Sequence, residues 1–85
     1  SLIDPRLAPV LGNPELLATL EVYLETAGRA TESADRLGIH RATLHYRLGR
    51  IEALTGADLD NGEDRLAFHL GVRLHRLSLA GGARD

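Results

Sequence analysis

The sequence has 85 residues, of which 44% are hydrophobic and only 4% aromatic, and it has no cysteine. A chain of this length forms one domain with a modest core, and the lack of cysteine excludes disulfides and thiolate metal sites. No segment has the roughly 18 apolar residues of a membrane span, and none has the pattern of a signal peptide. We therefore expect a soluble cytoplasmic protein that has no membrane partner.

Two prolines interrupt residues 1–12, which contain only a few apolar side chains. Leu7, Val10 and Leu11 can form one or two helical turns against the core, but a linker from a preceding domain has the same composition. We assign this segment to a linker or a short N-terminal helix. Because methionine is absent, even at position 1, we expect the chain to be a piece of a longer protein.

A first long helix is predicted to begin at Asn13 and to end near Gly28. Asn13 can cap the helix, the following proline is preorganised for the first helical position, and Glu15 favours the positive end of the helix dipole. Tyr23 falls on the apolar stripe and is assigned to the core rather than to a site. The complete stripe is Leu16, Leu20, Tyr23, Leu24 and Ala27.

The stretch that begins at Thr31 has the pattern of a helix, a tight turn and a second helix. The first helix is predicted from Glu32 to Leu37, with Thr31 as its N-cap and Gly38 in the left-handed conformation that ends it. The second helix, at about residues 41–55, has one apolar face, formed by Leu44, Leu48, Ile51 and Leu54. This is the pattern of a helix-turn-helix, in which the second helix enters the DNA major groove.

The side of the second helix opposite the core holds Ala42, Thr43, Tyr46, Gly49, Arg50 and Ala53, with His45 on its flank. Between His40 and Arg50 there are three arginines, two histidines, a threonine and a tyrosine, and there is no acid. Arginine suits bidentate contact with guanine or phosphate, and hydroxyl groups can donate to phosphate oxygens. An amphipathic helix with a solvated basic face is the alternative, but the preceding helix and turn favour DNA recognition.

The net charge of −2 at first argues against a nucleic-acid partner. However, residues 40–50 carry a charge of +3, from Arg41, Arg47 and Arg50, whereas residues 51–64 carry −5. The protein is therefore expected to be polarised, with one basic face and acidic groups elsewhere.

The connection to the last helix contains Leu59, which is predicted to fill the space under the turn. Asp60 and Glu63 form a pair that resembles a capping box. The acids of this connection lack the loop length and the terminal glutamate of an EF-hand, so a calcium site is not predicted.

The last helix is predicted from about Glu63 to Leu79, and it is apolar on two sides. One side carries a stripe formed by Leu66, Leu70, Leu74 and Leu77. Phe68, Val72 and Leu79 lie nearly opposite and are assigned to a dimer or interdomain face. The partner on that face is another copy, a preceding domain, or the segment from Leu2 to Leu11.

No catalytic, metal or cofactor site is predicted. His40 and His45 are five residues apart and His69 and His75 are six apart, so neither pair places two imidazoles on one helix face. No serine has a plausible histidine and aspartate beside it, and no glycine-rich phosphate loop is present. We therefore do not expect an enzyme.

Residues 37–66 contain several specific motifs. They are Leu-Gly-Ile-His-Arg-Ala-Thr-Leu-His-Tyr-Arg-Leu at 37–48, Arg-Ile-Glu at 50–52, Leu-Thr-Gly at 54–56, Asp-Leu-Asp at 58–60 and Glu-Asp-Arg-Leu at 63–66. With these motifs the chain resembles, from about Pro14 to Leu77, the C-terminal DNA-binding domain of PucR/CdaR-type bacterial transcriptional regulators.

The resemblance implies an all-helical domain at the end of a longer regulator with an upstream sensory domain. It also implies binding to double-stranded promoter DNA as a homodimer or higher oligomer, often to activate catabolic genes. The helix-turn-helix further resembles the factor-for-inversion-stimulation type, in which the start of the recognition helix and its next turn contact DNA. The corresponding residues are His40, Arg41, Thr43, His45 and Tyr46.

We predict a small all-α domain of four or five helices without a wing, which covers residues 13–80 and is followed by a disordered tail at 81–85. Within the DNA-binding face, Arg47 and Arg50 are expected to meet phosphates at the edges of the groove. The residues expected to face the groove are Arg41, Thr43, His45 and Tyr46, and His40 is expected to help at the helix start. The alternative function is a protein-interaction or dimerisation module whose helix-turn-helix shape does not contact DNA.

Overall fold

A computed structural model describes residues 2–82, and that part of the chain is folded entirely into helices and their connections. A 3₁₀ turn precedes five α-helices, and the elements in chain order are Pro5–Leu7 (3₁₀), α1 (Ala8–Leu11), α2 (Pro14–Glu25), α3 (Ala30–Leu37), α4 (Arg41–Thr55) and α5 (Gly62–Gly82). The predicted small all-α class is confirmed. Of the predicted tail, Gly81 and Gly82 instead belong to α5, and residues 83–85 lie outside the described residues. None of these helices is long and apolar enough to cross a membrane.

The N-terminal segment forms part of the core. Leu7 and Val10 are fully buried, and Asp4 begins the 3₁₀ turn by accepting a hydrogen bond from the backbone N–H of Arg6 at 2.9 Å. The Arg6 guanidinium lies 4.9 Å from the centre of the Phe68 ring, a cation–π distance. Residues 5–11 therefore cover one side of α5.

The start of α2 is as predicted, but its end is not. The Asn13 side chain accepts a hydrogen bond from the backbone N–H of Leu16 at 3.1 Å. Ala27, predicted on the core stripe, is exposed and adopts a left-handed conformation with φ of 56°. The reason is that Ala27 lies beyond the end of α2, where Gly28 donates a 2.9 Å hydrogen bond back to the carbonyl of Tyr23 and the chain reverses.

The first helix of the helix-turn-helix begins at Ala30, so Thr31 lies inside it and the predicted Thr31 cap is wrong. Two buried hydroxyls connect α2 with α3 instead, since the Thr26 and Ser33 oxygens lie 2.7 Å apart. Gly38 ends α3 with φ of 66°, which confirms its predicted left-handed conformation. These contacts fix the angle at which the next helix leaves the turn.

The buried face of α4 contains Leu44, Leu48 and Ile51, as predicted. Leu54 is exposed, and Thr55 takes its place in the core with its hydroxyl donating a 2.7 Å hydrogen bond to the carbonyl of Ile51. At about 100° per residue, Thr55 lies in line with the other three, whereas Leu54 lies about 80° from Leu44.

The connection between α4 and α5 is held by acids and by Leu59, which is buried as predicted. The Glu52 carboxylate of α4 accepts the backbone N–H of Leu59 at 2.9 Å. Asn61, and not Asp60, caps α5, because its side-chain oxygen accepts the backbone N–H of Asp64 at 3.0 Å. The capping-box assignment was therefore displaced by one residue.

The two apolar sides of α5 have the opposite roles to those predicted. Phe68 and Val72 are fully buried in the core of this same domain, so their assignment to a dimer or interdomain face is wrong. Of the three partners considered for this side, the segment from Leu2 to Leu11 is the one the structure supports, because Leu7 approaches α5 at Gly71, where a Cβ would lie 2.5 Å from the Leu7 Cδ1. Leu79 is exposed near the end of α5, and its role in a dimer stays a prediction.

Candidate nucleic-acid interface

The exposed side of α4 gathers most of the residues predicted to contact DNA. The helix begins at Arg41, directly after the turn, and its buried leucines hold the opposite side against the core. Thr43 is half-buried, and the exposed members of the predicted set are His40, Arg41, His45, Tyr46 and Arg50. Tyr46 leaves 67% of its surface exposed, which is unusual for a large aromatic side chain in this small domain.

Two exposed arginines of α4 lie about 180° apart around the helix, Arg41 at its N-terminus and Arg50 in its third turn. Within residues 2–82, neither Arg41 nor Arg50 forms an ion pair, whereas Arg29 and Arg36 on the preceding elements both pair with Glu32. Their guanidinium groups are thus free to meet an anionic ligand. With about 1.5 Å of rise per residue, the two side chains start roughly 13 Å apart along the helix axis.

The N-terminus of α4 is itself a favourable place for an anion. His40 precedes the helix in an extended conformation and makes no side-chain capping hydrogen bond, and the first turn contains no acid. The first backbone N–H groups of a helix have no partner inside it and carry the positive end of the dipole. A phosphate placed there would meet backbone donors and Arg41 together.

Arg47 differs from the other predicted contact residues. Its guanidinium lies 3.3 Å from the Glu15 carboxylate and 3.4 Å from the Thr19 hydroxyl, and only 19% of the side chain is exposed. The structure therefore places Arg47 between α4 and α2, and it does not support the predicted role as a free phosphate contact. Glu15 and Thr19 lie one turn apart on α2, but only the fold shows that they face α4.

One edge of the basic face borders a cleft of about 210 Å³ between α4 and the connection that follows it. Two acids belong to this cleft: Glu52 is a residue of α4 itself, whereas the position of Asp60 beside α4 follows only from the fold. The lining residues are Tyr23, His45, Leu48, Gly49, Glu52, Leu59 and Asp60. Burial raises the pKa of the Tyr23 hydroxyl, and the negative charge of Asp60 acts in the same direction. The interface thus changes from basic to acidic at His45.

Residues 16–74 match the family model described as the PucR C-terminal helix-turn-helix domain. The purine catabolism regulatory protein of Bacillus subtilis (strain 168) is 45% identical over 62 residues, which make up 73% of this chain and 12% of that protein. The carbohydrate diacid regulator of Escherichia coli (strain K12) is 39% identical over 69 residues, 81% of this chain and 18% of that protein.

The proline-responsive transcriptional activator PutR of Bacillus subtilis (strain 168) is 38% identical over 60 residues, 71% of this chain and 15% of that protein. The chain therefore spans less than a fifth of the length of each of these three relatives. No solved structure matches the chain.

Proposed function

Because the chain belongs to the family of PucR C-terminal helix-turn-helix domains, we propose that it binds double-stranded promoter DNA in a sequence-specific manner and places α4 in the major groove. Its relatives are transcriptional regulators, and the family is not one of enzymes. The observation that carries the proposal is that residues 40–50 contain no acid and that the exposed Arg41 and Arg50 of α4 have no ion-pair partner among the described residues.

Within this proposal, different residues of α4 contact the bases and the phosphates. Arg41, Thr43, His45 and Tyr46, on the first two turns of α4, face the base edges, while the uncapped helix N-terminus and His40 receive a phosphate. Arg50, two turns further on, meets the backbone at the edge of the groove.

Arg47 has a positioning role. Its contacts with Glu15 and Thr19 hold α4 against α2, so its loss would alter the angle of the helix in the groove.

In the cell, we propose that the domain acts in the cytoplasm as part of a longer bacterial regulator with an upstream sensory domain in the same chain. A homodimer would present two recognition helices to two half-sites, about one helical turn of DNA apart. A single domain is then expected to bind weakly, because pairing of half-sites supplies much of the specific affinity.

Fluorescence anisotropy on duplex DNA, titrated with salt, tests the proposal. The logarithm of the binding constant should fall with the logarithm of salt concentration by about 0.9 for each phosphate neutralised. The Arg41→Ala, Arg50→Ala double variant should bind at least about tenfold more weakly at low salt, with a shallower slope. Selection from a pool of random duplexes should enrich one common motif.

An Arg29→Ala, Arg76→Ala variant is the matched control, because it removes the same charge from residues outside α4 that pair with glutamates. It should keep most of the affinity and the wild-type slope. If the wild-type domain fails to bind at low salt, or if both double variants lose affinity equally, α4 is not the DNA-contacting element, and the protein-interaction function is favoured.

A further inference from the structure

The side of α5 that faces away from the core carries three leucines in solvent. Leu66, Leu70 and Leu77 leave 66%, 53% and 67% of their surfaces exposed. At about 100° per residue, all three lie within roughly 40° of one another around the helix. A contiguous apolar strip of this kind on a small protein marks a contact surface.

The strip has a shallow depression and a charge at each side of it. The depression, about 240 Å³ in volume, is lined by Leu66, His69, Leu70 and Arg73. Glu63 and Arg73 are both exposed on this side of α5, and neither forms an ion pair within residues 2–82. Ten residues separate them, or about 15 Å along the helix, so they cannot pair with each other in one chain.

We propose that this strip is the contact between two copies of the chain, with α5 packed antiparallel against α5 of the second copy around a two-fold axis near residue 68. Antiparallel pairing about residue 68 brings Leu66 opposite Leu70 of the second copy, whereas Leu77 falls opposite position 59, before the start of α5, and lies outside the helix pair. The same register brings Glu63 opposite Arg73 of the second copy, because both pairs of numbers are centred on residue 68. A two-fold axis repeats each contact, so one surface complements itself.

A second copy is the favoured occupant because the strip complements itself: it carries one negative and one positive charge at equal distances from residue 68. A parallel arrangement would place Arg73 against Arg73, whereas the antiparallel register neutralises both exposed charges at the edges of the leucine pair. A leucine of one copy can then enter the depression that Leu66, His69, Leu70 and Arg73 form on the other copy, as side chains do in ordinary helix packing.

The contact area of one helix face is smaller than the roughly 800 Å² per partner of a stable interface. We therefore expect a weak dimer whose population rises with protein concentration.

Self-association through α5 involves none of the residues assigned to DNA, so the two proposals can fail separately. The test is sedimentation velocity of the 85-residue chain over a concentration series without DNA. The wild-type chain should shift from monomer towards dimer as concentration rises, and Leu70→Glu should remain monomeric, because it would bury a carboxylate in the contact.

Leu79→Glu is the control, since Leu79, which the sequence analysis assigned to a dimer face, is exposed near the end of α5 on the side of Phe68 and lies outside the contact proposed here. It should associate as the wild type does. A wild-type chain that is monomeric at every concentration overturns the proposal and leaves the strip to another part of a longer protein. Equal loss of dimer in Leu79→Glu and Leu70→Glu also overturns it.

Charge reversal tests the register. Glu63→Arg and Arg73→Glu should each weaken association about tenfold, because each converts two attractive pairs into two repulsive ones. The double variant restores opposite charges and should return to within about threefold of the wild type. If the double variant associates no better than either single variant, the antiparallel register is wrong.

Discussion

Gly49 is a residue that the packing of the protein does not require. It lies in the middle of α4 on the exposed side, and a Cβ added there would meet no atom within 4 Å. A glycine inside a helix costs about 1 kcal/mol relative to alanine. Gly49→Ala should therefore raise the free energy of unfolding by about 1 kcal/mol in urea denaturation followed by circular dichroism.

The same variant distinguishes two explanations for the glycine. If the DNA backbone approaches α4 closely at this point, the more stable protein should bind duplex DNA more weakly. Unchanged affinity would mean that Gly49 is merely tolerated. A loss of stability on substitution would contradict the exposed position itself.

At the scale of single residues, the sequence predicted core positions better than it predicted contacts between elements. Leu44, Leu48 and Ile51 follow from helical periodicity alone, because a buried helix face repeats every three or four residues. At the end of α4 the core buries Thr55 and leaves Leu54 exposed, although leucine is the more apolar side chain. Helical geometry nevertheless favours Thr55, which lies in line with Leu44, and its hydroxyl is satisfied in the core by the carbonyl of Ile51.

Among the elements, α5 shows why an amphipathic pattern can be assigned to the wrong face. Leucines on one side of α5 appeared to be the stronger core stripe, yet Phe68 and Val72 are the buried residues. The N-terminal segment packs against the side of α5 that carries Phe68 and Val72, and this buries it. A contact with a part of the chain so distant in sequence cannot be predicted from the apolar pattern of α5 alone. Gly71, between Phe68 and Val72, was a usable signal, because a mid-helix glycine often marks a close approach.

Gly71→Ala tests this contact between α5 and the N-terminal segment. The added Cβ would lie 2.5 Å from the Leu7 Cδ1 and 3.5 Å from the Ile3 Cγ2. Overpacking of a core costs about 1–3 kcal/mol, and the gain in helix propensity returns only about 1 kcal/mol. We expect Gly71→Ala to lower the free energy of unfolding by up to about 2 kcal/mol, again measured in urea.

A double-mutant cycle with Leu7→Ala serves as the control. Once the Leu7 side chain is shortened, the same glycine substitution should no longer destabilise the protein. If Gly71→Ala is stabilising in the wild-type background, as at an open helix position, the N-terminal segment does not pack tightly on α5.

Asp64 connects three elements and should make stability depend on pH. Its carboxylate accepts the backbone N–H of Asp58 at 2.8 Å and the Arg6 guanidinium at 3.1 Å. The Asp58 hydrogen bond, followed by the Arg6 contact, holds the pKa of Asp64 below its ordinary value of 3.8. A lowered pKa in the folded state means that this contribution to stability is present above pH 3.8 and is lost as pH falls through the folded pKa.

Asp64→Asn imitates the protonated acid, so it should destabilise the protein near neutral pH. Thermal unfolding should be measured between about pH 7 and about pH 3. The difference in melting temperature between wild type and variant should become smaller below about pH 4. Glu63→Gln, at an exposed neighbour with no ion pair in the described part of its own chain, should show no such convergence. A constant difference across the range would mean that the Asp64 carboxylate does not act through its charge.

The whole molecule measures about 40 × 25 × 19 Å, and an acidic connection lies next to the recognition helix α4. The basic face of α4 and the acidic connection after α4 meet at the cleft that His45 shares with Asp60. An acid at the edge of a DNA-binding face repels phosphates, which limits affinity and restricts how the domain can lie on the duplex. The net charge of −2 is thus compatible with DNA binding because the excess acid lies away from the exposed arginines.

Asp60→Asn should consequently strengthen DNA binding, and the effect should be electrostatic. We expect affinity to rise about two- to fivefold at low salt, with the gain disappearing as the Debye length falls to a few ångströms near 1 M salt. Glu21→Gln changes the net charge by the same amount about 120° around α2 from Glu15, where Glu21 faces α5 and pairs with Arg76 at 3.0 Å. Anisotropy titrations should show little change for that variant, because a distant charge is screened. Equal gains from both variants would show that net charge alone, and not the position of Asp60 beside α4, controls the approach to DNA.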